Sequence, residues 1–422
     1  MDRLDIAIAG CGVAGLASAL LLHRQGHEVT LYERFPEPQP IGSGLMIQPT
    51  GLAVLAHLGL AQAAVAKGSQ IERLHGLNQL GEAVLEADYR HLEIAGLFGL
   101  GIHRGSLFEL LYQAVIDAGI EVRTSHEIAR SESCAKGRRL HFTDHAASIE
   151  HQLLVDCLGV GSPLVPAGDS YLPFGALWCT LEWPEDGPFN ASLLEQRYEH
   201  AGKMVGVLPT GRRTEGGPRE FSFFWSLQQA AYAPWQEQGL ERWKDEVFAL
   251  WPECAGILEQ IAAPEQLTFA CYAHRSWHSP VEQDLIHIGD AWHSASPQLG
   301  QGANMALLDA WALASALAGE GELQQRLHRA IALRRGHVRL YQWLTAAFTP
   351  LYQSQVKLPA VLRDVLLAPL SRIPPGPAAK AMLVAGLAGS PLSKLQLDMP
   401  DYEALAAIPS SIATRASSLA QS

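Results

Sequence analysis

The run Asp5-Ile6-Ala7-Ile8-Ala9-Gly10-Cys11-Gly12-Val13-Ala14-Gly15 decides the fold. Residues 5–9 form a short β-rich alternation, 13–24 an Ala/Leu helix closed by Gly26, and 28–33 a second β-rich run. Strand, helix and strand in that order, with Gly-x-Gly-x-x-Gly on the first turn, open a βαβ unit. Each glycine has its own task. Gly10 permits the tight turn, Gly12 lets the backbone approach a pyrophosphate at the helix N-terminus, and Gly15 allows helix and strand to pack closely; Val13 and Ala14 complete the turn. Glu33, eighteen residues after Gly15, stands where a carboxylate accepts hydrogen bonds from an adenosine ribose. The expectation is a dinucleotide-binding domain.

Outward from this unit, Ser106-Leu107-Phe108-Glu109 reads as a capping box that opens a helix over 106–118, which Gly119 stops before a strand over 120–124. From about Pro166 the pattern changes: 175–183, 203–209, 220–227 and 267–274 read as strands, interrupted by helical patterns over 240–251 and 254–262. A buried-strand pattern returns over 285–289 and leads into a long helix over 303–317. Beyond Val338 prolines, Pro350 and Pro359 among them, are expected to cut the chain into short helices. The fold class expected is α/β: a Rossmann-type domain with an inserted antiparallel β-sheet domain and a helical C-terminal region. The divisions are 1–70, 96–165 and 281–345 for the first domain, 71–95 (a hairpin) and 166–280 for the inserted one, and 346–422 for the C-terminal region.

Composition bounds the partners. At roughly 150 residues per domain, 422 residues make two to three domains with sizeable cores. The net charge of −12, with no Lys/Arg run, lacks the phosphate-tracking footprint of a nucleic-acid binder, so an anionic ligand must be held locally. The six cysteines lie far apart without metal-ligand spacing, which points to free thiols, no metal site and a cytoplasmic, reducing location. Residues 3–22 superficially resemble a secretory signal, but Asp5 and the glycines interrupt the apolar run. No stretch approaches the ~20 uninterrupted apolar residues of a membrane span. The amphipathic pieces 362–370 and 378–387 suit either capping the fold or peripheral contact with a membrane.

A second constellation lies late in the chain, Gly289-Asp290-Ala291-Trp292-His293-Ser294-Ala295-Ser296-Pro297-Gln298-Leu299-Gly300-Gln301-Gly302-Ala303-Asn304, followed by Asp309. It resembles the Gly-Asp motif of the FAD-dependent aromatic hydroxylases, the group A flavoprotein monooxygenases. That resemblance implies that Gly289 and Pro297 line the flavin, that Asp290 holds the ribityl hydroxyls, and that the backbone of Gly300, Gln301, Gly302, Ala303 and Asn304 meets the pyrimidine edge. The N-terminus of the helix near Ala303 carries about half a positive charge, which favours negative charge on that edge. Arg34 and Gly44 lie in a segment similar to the family's E-R…G-x-G stretch, and Arg104 in one similar to its h-R-x-x-L stretch, contacting ribityl or phosphates. One departure stands out: where the family carries A-D-G-x-x-S-x-x-R, this chain has Leu158 in place of the Asp and Val165 in place of the Arg. FAD binding tolerates that loss, whereas nicotinamide docking is put in question.

The family resemblance implies a monooxygenase that uses NAD(P)H and O2 to hydroxylate or epoxidise a small aromatic or unsaturated substrate through a flavin C4a-hydroperoxide. Phe223, Trp225, Tyr272 and His274 are the substrate-pocket candidates, with core packing as the competing reading. No side chain is singled out as nucleophile or base, because the flavin carries the chemistry. Rival readings on the same scaffold are an oxidase, an alkene reductase, a halogenase, whose Trp-x-Trp-x-Ile-Pro string is missing here, or a non-catalytic binder of flavin or prenyl lipid. Oligomeric state is not legible.

Overall fold

The computed structural model describes residues 3–39, 42–166 and 170–408. Its parallel sheet runs, in spatial order, Leu285–His287, Leu153–Asp156, Asp5–Ala9, Glu28–Tyr32 and Glu121–Arg123, with Val281–Glu282 antiparallel at one edge. Both faces are covered, which is why the central strand reads as a continuous apolar run. Ile6 and Ile8 pack with Leu16 and Leu20 of the helix Val13–Arg24. Ala7 and Ala9 face the other way, onto Ile128, Leu140 and Phe142. Those three belong to an antiparallel meander, Ile128–Cys134, Gly137–Phe142 and Glu150–His151, which sequence reading missed because its outer face is solvated and strongly charged.

The helix expected to begin at Ser106 begins at Arg104 and runs to Asp117. His103 caps it, its Nδ1 accepting from the Gly105 N–H at 3.0 Å, while Ser106 Oγ is buried with no partner among the described residues. The capping-box reading therefore fails: the imidazole one turn earlier does the work assigned to the serine. Gly119 does end the helix, at φ 69°.

A second sheet runs His293–Ser294, Thr268–Ser276, Ser170–Glu182, Glu220–Gln228, Lys203–Gly211, Leu193–Glu199, Arg73–Asn78 and Ala83–Asp88. Leu193–Glu199 was not anticipated, yet it joins the 71–95 hairpin to the rest by pairing parallel with Arg73–Asn78. The outer face of this sheet is covered by the helices Leu240–Leu250 and Ala255–Leu258, the second shorter than its pattern promised because the chain tightens into i→i+3 turns after Leu258, with Gln260 N–H bonding Ile257 O and Ile261 N–H bonding Leu258 O. The inner face meets the first domain. There Gly44 lies so close that a Cβ would stand 2.5 Å from Ser222 Oγ and from Thr210 Cγ2, and Ser43 Oγ bonds Ser222 Oγ and, at 2.8 Å, Thr180 Oγ1.

After Gly302–Leu317 a single helix, Leu323–Tyr352, spans the place where short helices were expected. Pro350 lies in its last turn, so the distortion a proline causes falls where the helix is already ending at Tyr352. Shorter helices, including Lys357–Leu362 and Gly376–Val384, complete the described chain.

Candidate active site

The cleft between the two sheets gathers the glycine motifs. Gly10 and Gly15 are demanded by the protein itself: a Cβ on Gly10, at φ 96°, would sit 2.9 Å from Cys157 O, and one on Gly15 would sit 2.0 Å from Gly10 O. Gly12 is different. It caps the helix Val13–Arg24 at φ −75°, is exposed, and a Cβ there would meet nothing within 4 Å. Gly302, at the start of Gly302–Leu317, is open in the same sense; Gly300 has as much room, but its φ of 60° favours glycine. Two helix N-termini thus present bare backbone with no protein atom against it, a cradle suited to a ligand carrying phosphate at one end and a polar ring edge at the other.

Glu33 ends the second strand with its carboxylate positioned by two backbone donors, Cys11 N–H at 3.0 Å and Phe35 N–H at 3.1 Å. Arg34 is exposed and lies over the Phe35 ring. Arg104, also exposed, stands at the first turn of its helix and its side chain passes Gly42, where a Cβ would be 3.3 Å from Arg104 Cδ. Gly289, at φ 59°, is wedged between the two helices, a Cβ on it meeting Ala14 and Ala306 Cβ at 3.3 and 3.6 Å. Asp290 opens onto the cleft; desolvation by the protein around it nonetheless raises its carboxyl above the usual range, outweighing the opposing pull of His293 and Arg104.

Behind this loop lies a buried ionic relay, of which Asp309 and His293 stood out in the sequence. Its Oδ2 accepts from Gly289 N–H at 3.0 Å and from His293 Nε2 at 2.6 Å, and Oδ1 accepts from Arg334 Nε at 2.8 Å. Burial works against its charge, but His293 and Arg334 win and hold its carboxyl down to about 2. Arg334 Nη1 donates to His337 Nδ1 at 3.0 Å, and His337 Nε2 donates to Gly386 O at 3.0 Å. Burial and then the Arg334 charge lower His337 to about 3, so it is neutral at ordinary pH. Arg334 and His337 sit 25 and 28 residues beyond Asp309 on another helix, so no local spacing announced them.

Three residues expected around the cofactor are also engaged by the protein itself. The Asn304 side chain accepts from Gln48 N–H at 2.8 Å and donates to Met46 O and Gly300 O. Gln301 Nε2 donates to Val384 O and Leu299 O. Gly44 serves the seam between the sheets. The polar side chains of Asn304 and Gln301 staple the glycine loop to its neighbours, and only their backbone remains for a ligand.

The substrate candidates divide by strand parity. Phe223 and Trp225 point away from the cleft, into the core beneath Leu240–Leu250, so the structure corrects their assignment to the pocket. The opposite parity, that of Ser222, faces the first domain and brings forward Phe224 and Trp178, stacked at 4.7 Å, with the Phe224 ring lying over Gly206. Tyr272 is on this face, its Oη accepting from Trp178 Nε1 at 2.9 Å, and His274 follows two residues on. Burial pushes the Tyr272 phenol up to about 12. Counting parity from Ser222 would have chosen Phe224 over Phe223; the sequence alone does not say which face looks inward.

Leu158 lies in the turn before Gly159–Gly161. Asp156, two residues earlier, is no substitute for the missing carboxylate: fully buried, it accepts from Leu158 N–H, Ser162 Oγ and His287 Nδ1. A cavity of ≈ 630 Å³ opens beside this turn, lined by Val160 to Pro166, Arg275 and Glu282.

This fold and cleft define a flavin-dependent oxidoreductase, and comparison with known proteins gives the family. The FAD binding domain family matches residues 3–335, so the chain belongs to it. The chain is 28% identical over 361 residues to phenazine 1,6-dicarboxylic acid hydroxylase PhzS of Lysobacter antibioticus, covering 79% of this chain and 87% of that one. It is 27% identical to 6-hydroxynicotinate 3-monooxygenase of Pseudomonas fluorescens, covering 74% and 82%. Among solved structures, Klebsiella pneumoniae HpxO complexed with FAD and uric acid superimposes with a TM-score of 0.74 at 20% identity, covering 90% of this chain and 97% of that one, a likeness of fold. The chain is an FAD-dependent monooxygenase of the aromatic hydroxylase family, with NAD(P)H as co-substrate.

Proposed function

We propose that the protein hydroxylates a planar aromatic substrate that carries a hydrogen-bond acceptor and no carboxylate. The observation that carries this reading is the cleft-facing surface of the inserted sheet, where Ala176, Trp178, Gly206, Phe224, Ala270 and Tyr272 offer flat apolar area without a charge. A carboxylate set there would lose its hydration with no cation on these positions to replace it.

Bound FAD supplies the redox and oxygen-activating chemistry. The protein's part is to bind, orient and keep water out. Gly12 and the first turn after it would hold the pyrophosphate, Glu33 the adenosine ribose, Asp290 the ribityl chain with Arg104 beside it, and the backbone of Gly300 to Ala303 the pyrimidine edge. The positive end of the helix Gly302–Leu317 favours negative charge on that edge. Tyr272 Oη already accepts from Trp178, so its own proton is left to donate, and a phenol pushed to about 12 keeps that proton. It would fix the substrate by its acceptor without acting as a base. All six cysteines are free, which supports a reducing, cytoplasmic setting.

The test is NAD(P)H oxidation and product analysis with paired substrates, 3-hydroxybenzoate against 3-hydroxybenzamide, and hydroxyquinoline carboxylates against hydroxyquinolines. The neutral member of each pair should be turned over, and Tyr272→Phe should raise KM for it by about tenfold, the worth of one buried hydrogen bond. Turnover of the carboxylated members alone would overturn the reading.

A further inference from the structure

Beyond the active site, the C-terminal segment contains a helix turned inside out. From Lys357 to Leu370 the chain is helical throughout, as Lys357–Leu362, a wider turn Arg363–Leu367, and Ala368–Leu370. A surface helix ordinarily buries its apolar stripe and exposes its charges. Here Ala360, Arg363 and Ala368 face inward, while Leu358, Val361, Val365 and Leu370 face outward, Leu358 at 72% and Val365 at 73% exposure.

Arg363 locks this orientation. Only 1% exposed, its guanidinium donates to Asp364 Oδ1 at 2.6 Å, Leu351 O at 3.0 Å and His200 O at 3.1 Å, and it lies 5.1 Å from the rings of both Tyr198 and Tyr352. Rolling the helix to bury its leucines would strip a buried cation of its four contacts to other elements, at a cost that exposed leucines do not repay in water. The outward leucines are therefore a fixed feature of the fold, and the patch extends through Ile373. Contiguous exposed apolar surface on this scale marks a contact site.

We propose that this face rests on a lipid surface bearing anionic headgroups. The exposed charges along 356–375 are Lys357 and Arg372, both positive, on a chain whose net charge is −12. An apolar segment whose own exposed charges are positive matches the interface of an acidic bilayer; Glu82 of the adjoining hairpin is an exposed carboxylate beside it. A two-fold contact with a second copy would instead set these cations against their own kind. The segment also packs on the edge strand Ala83–Asp88 of the inserted sheet, Arg372 Nη2 donating to Ala83 O at 2.8 Å and Tyr352 Oη to Val84 O at 3.1 Å. Docking would bring the sheet that lines the substrate cleft against the bilayer, a geometry suited to a substrate that partitions into lipid.

Flotation of the FAD-loaded full chain with phosphatidylcholine vesicles, with and without phosphatidylglycerol, tests this. The protein should float with the anionic vesicles; Leu358→Glu with Val365→Glu should cut the bound fraction by about tenfold or more. Lys357→Gln with Arg372→Gln should remove the preference for phosphatidylglycerol. An unchanged flavin spectrum and circular dichroism confirm that the variants remain folded. Wild type that floats with neither vesicle overturns the proposal. So does a wild-type dimer in light scattering that the glutamate pair dissociates without any flotation, which would make a second copy the occupant.

Discussion

Single residues in this cleft divide into those the fold requires and those only a ligand requires. Gly10 and Gly15 are of the first kind, since any Cβ on them meets backbone atoms of the protein. Gly12 is of the second: its φ of −75° suits any residue and its Cβ direction is open. Gly12→Val should therefore leave circular dichroism and the urea midpoint close to wild type while the purified protein loses its 450 nm flavin absorbance. Normal FAD occupancy in this variant would show that the pyrophosphate lies elsewhere. Leu158 raises a question of the same grain. Asp156 is buried and spends its carboxylate on Leu158 N–H, Ser162 Oγ and His287 Nδ1, so it is not offered to a ligand at the turn where the family places an Asp. Leu158→Asp should speed flavin reduction by NAD(P)H in stopped-flow if that carboxylate helps nicotinamide to dock; an unchanged rate would leave docking to other residues.

At the scale of elements, the buried relay ties four of them together. The flavin-motif loop, the helices Gly302–Leu317 and Leu323–Tyr352 and the segment after Gly376–Val384 meet through Asp309, Arg334 and His337. Its pH dependence follows from the direction of each shift. His337 is lowered to about 3 in the folded protein, so as pH falls below about 6.5 the unfolded chain takes up a proton that the folded one refuses, and stability declines. Asp309 is also lowered, so its contribution is full above the usual carboxylate range and is lost progressively as pH falls from that range toward about 2. Between about pH 6 and 5 the slope attributable to these two groups is therefore that of His337, at most about 1.4 kcal/mol per pH unit. His337→Gln, which keeps an amide able to donate to Gly386 O, should flatten the pH dependence of urea unfolding over that range. A slope identical to wild type would mean that His337 is protonated in the native state.

Over the whole molecule, the inserted sheet closes tightly on a small antiparallel sheet of the first domain, Gly44–Ile47, Gly99–His103 and Ser69–Ile71. Gly44, expected to serve the cofactor, is a tight point of this contact, with Ser222 and Thr210 both 2.5 Å from where a Cβ would be. Gly44→Ala should cost about 1–3 kcal/mol by overpacking, read as a lowered urea midpoint. A neutral effect would show that the seam is looser than the structure has it.

Local chemistry made much of this legible in the sequence. The opening βαβ unit, the Gly-Asp stretch and the return of the chain to its first domain depend on glycine placement and on hydrophobic period, which act over a few residues. What those rules do not carry is partnership between distant segments. Whether Phe223 or Phe224 looks into the cleft depends on which face of a sheet meets the other domain, and a period of two fixes the alternation without fixing its direction. That His103 and not Ser106 caps a helix was closer to hand, yet it turned on an imidazole rotamer. The Asn304 and Gln301 side chains turned inward because Met46 O and Val384 O stood within reach, and Arg334 found Asp309 across a helix–helix contact. The amino-acid order by itself determined where a dinucleotide is to be held, because phosphate binding needs only a turn and a helix end. The tertiary structure alone decided which polar groups remain free to touch it, because each buried donor and acceptor must first be satisfied by whatever the fold brings near.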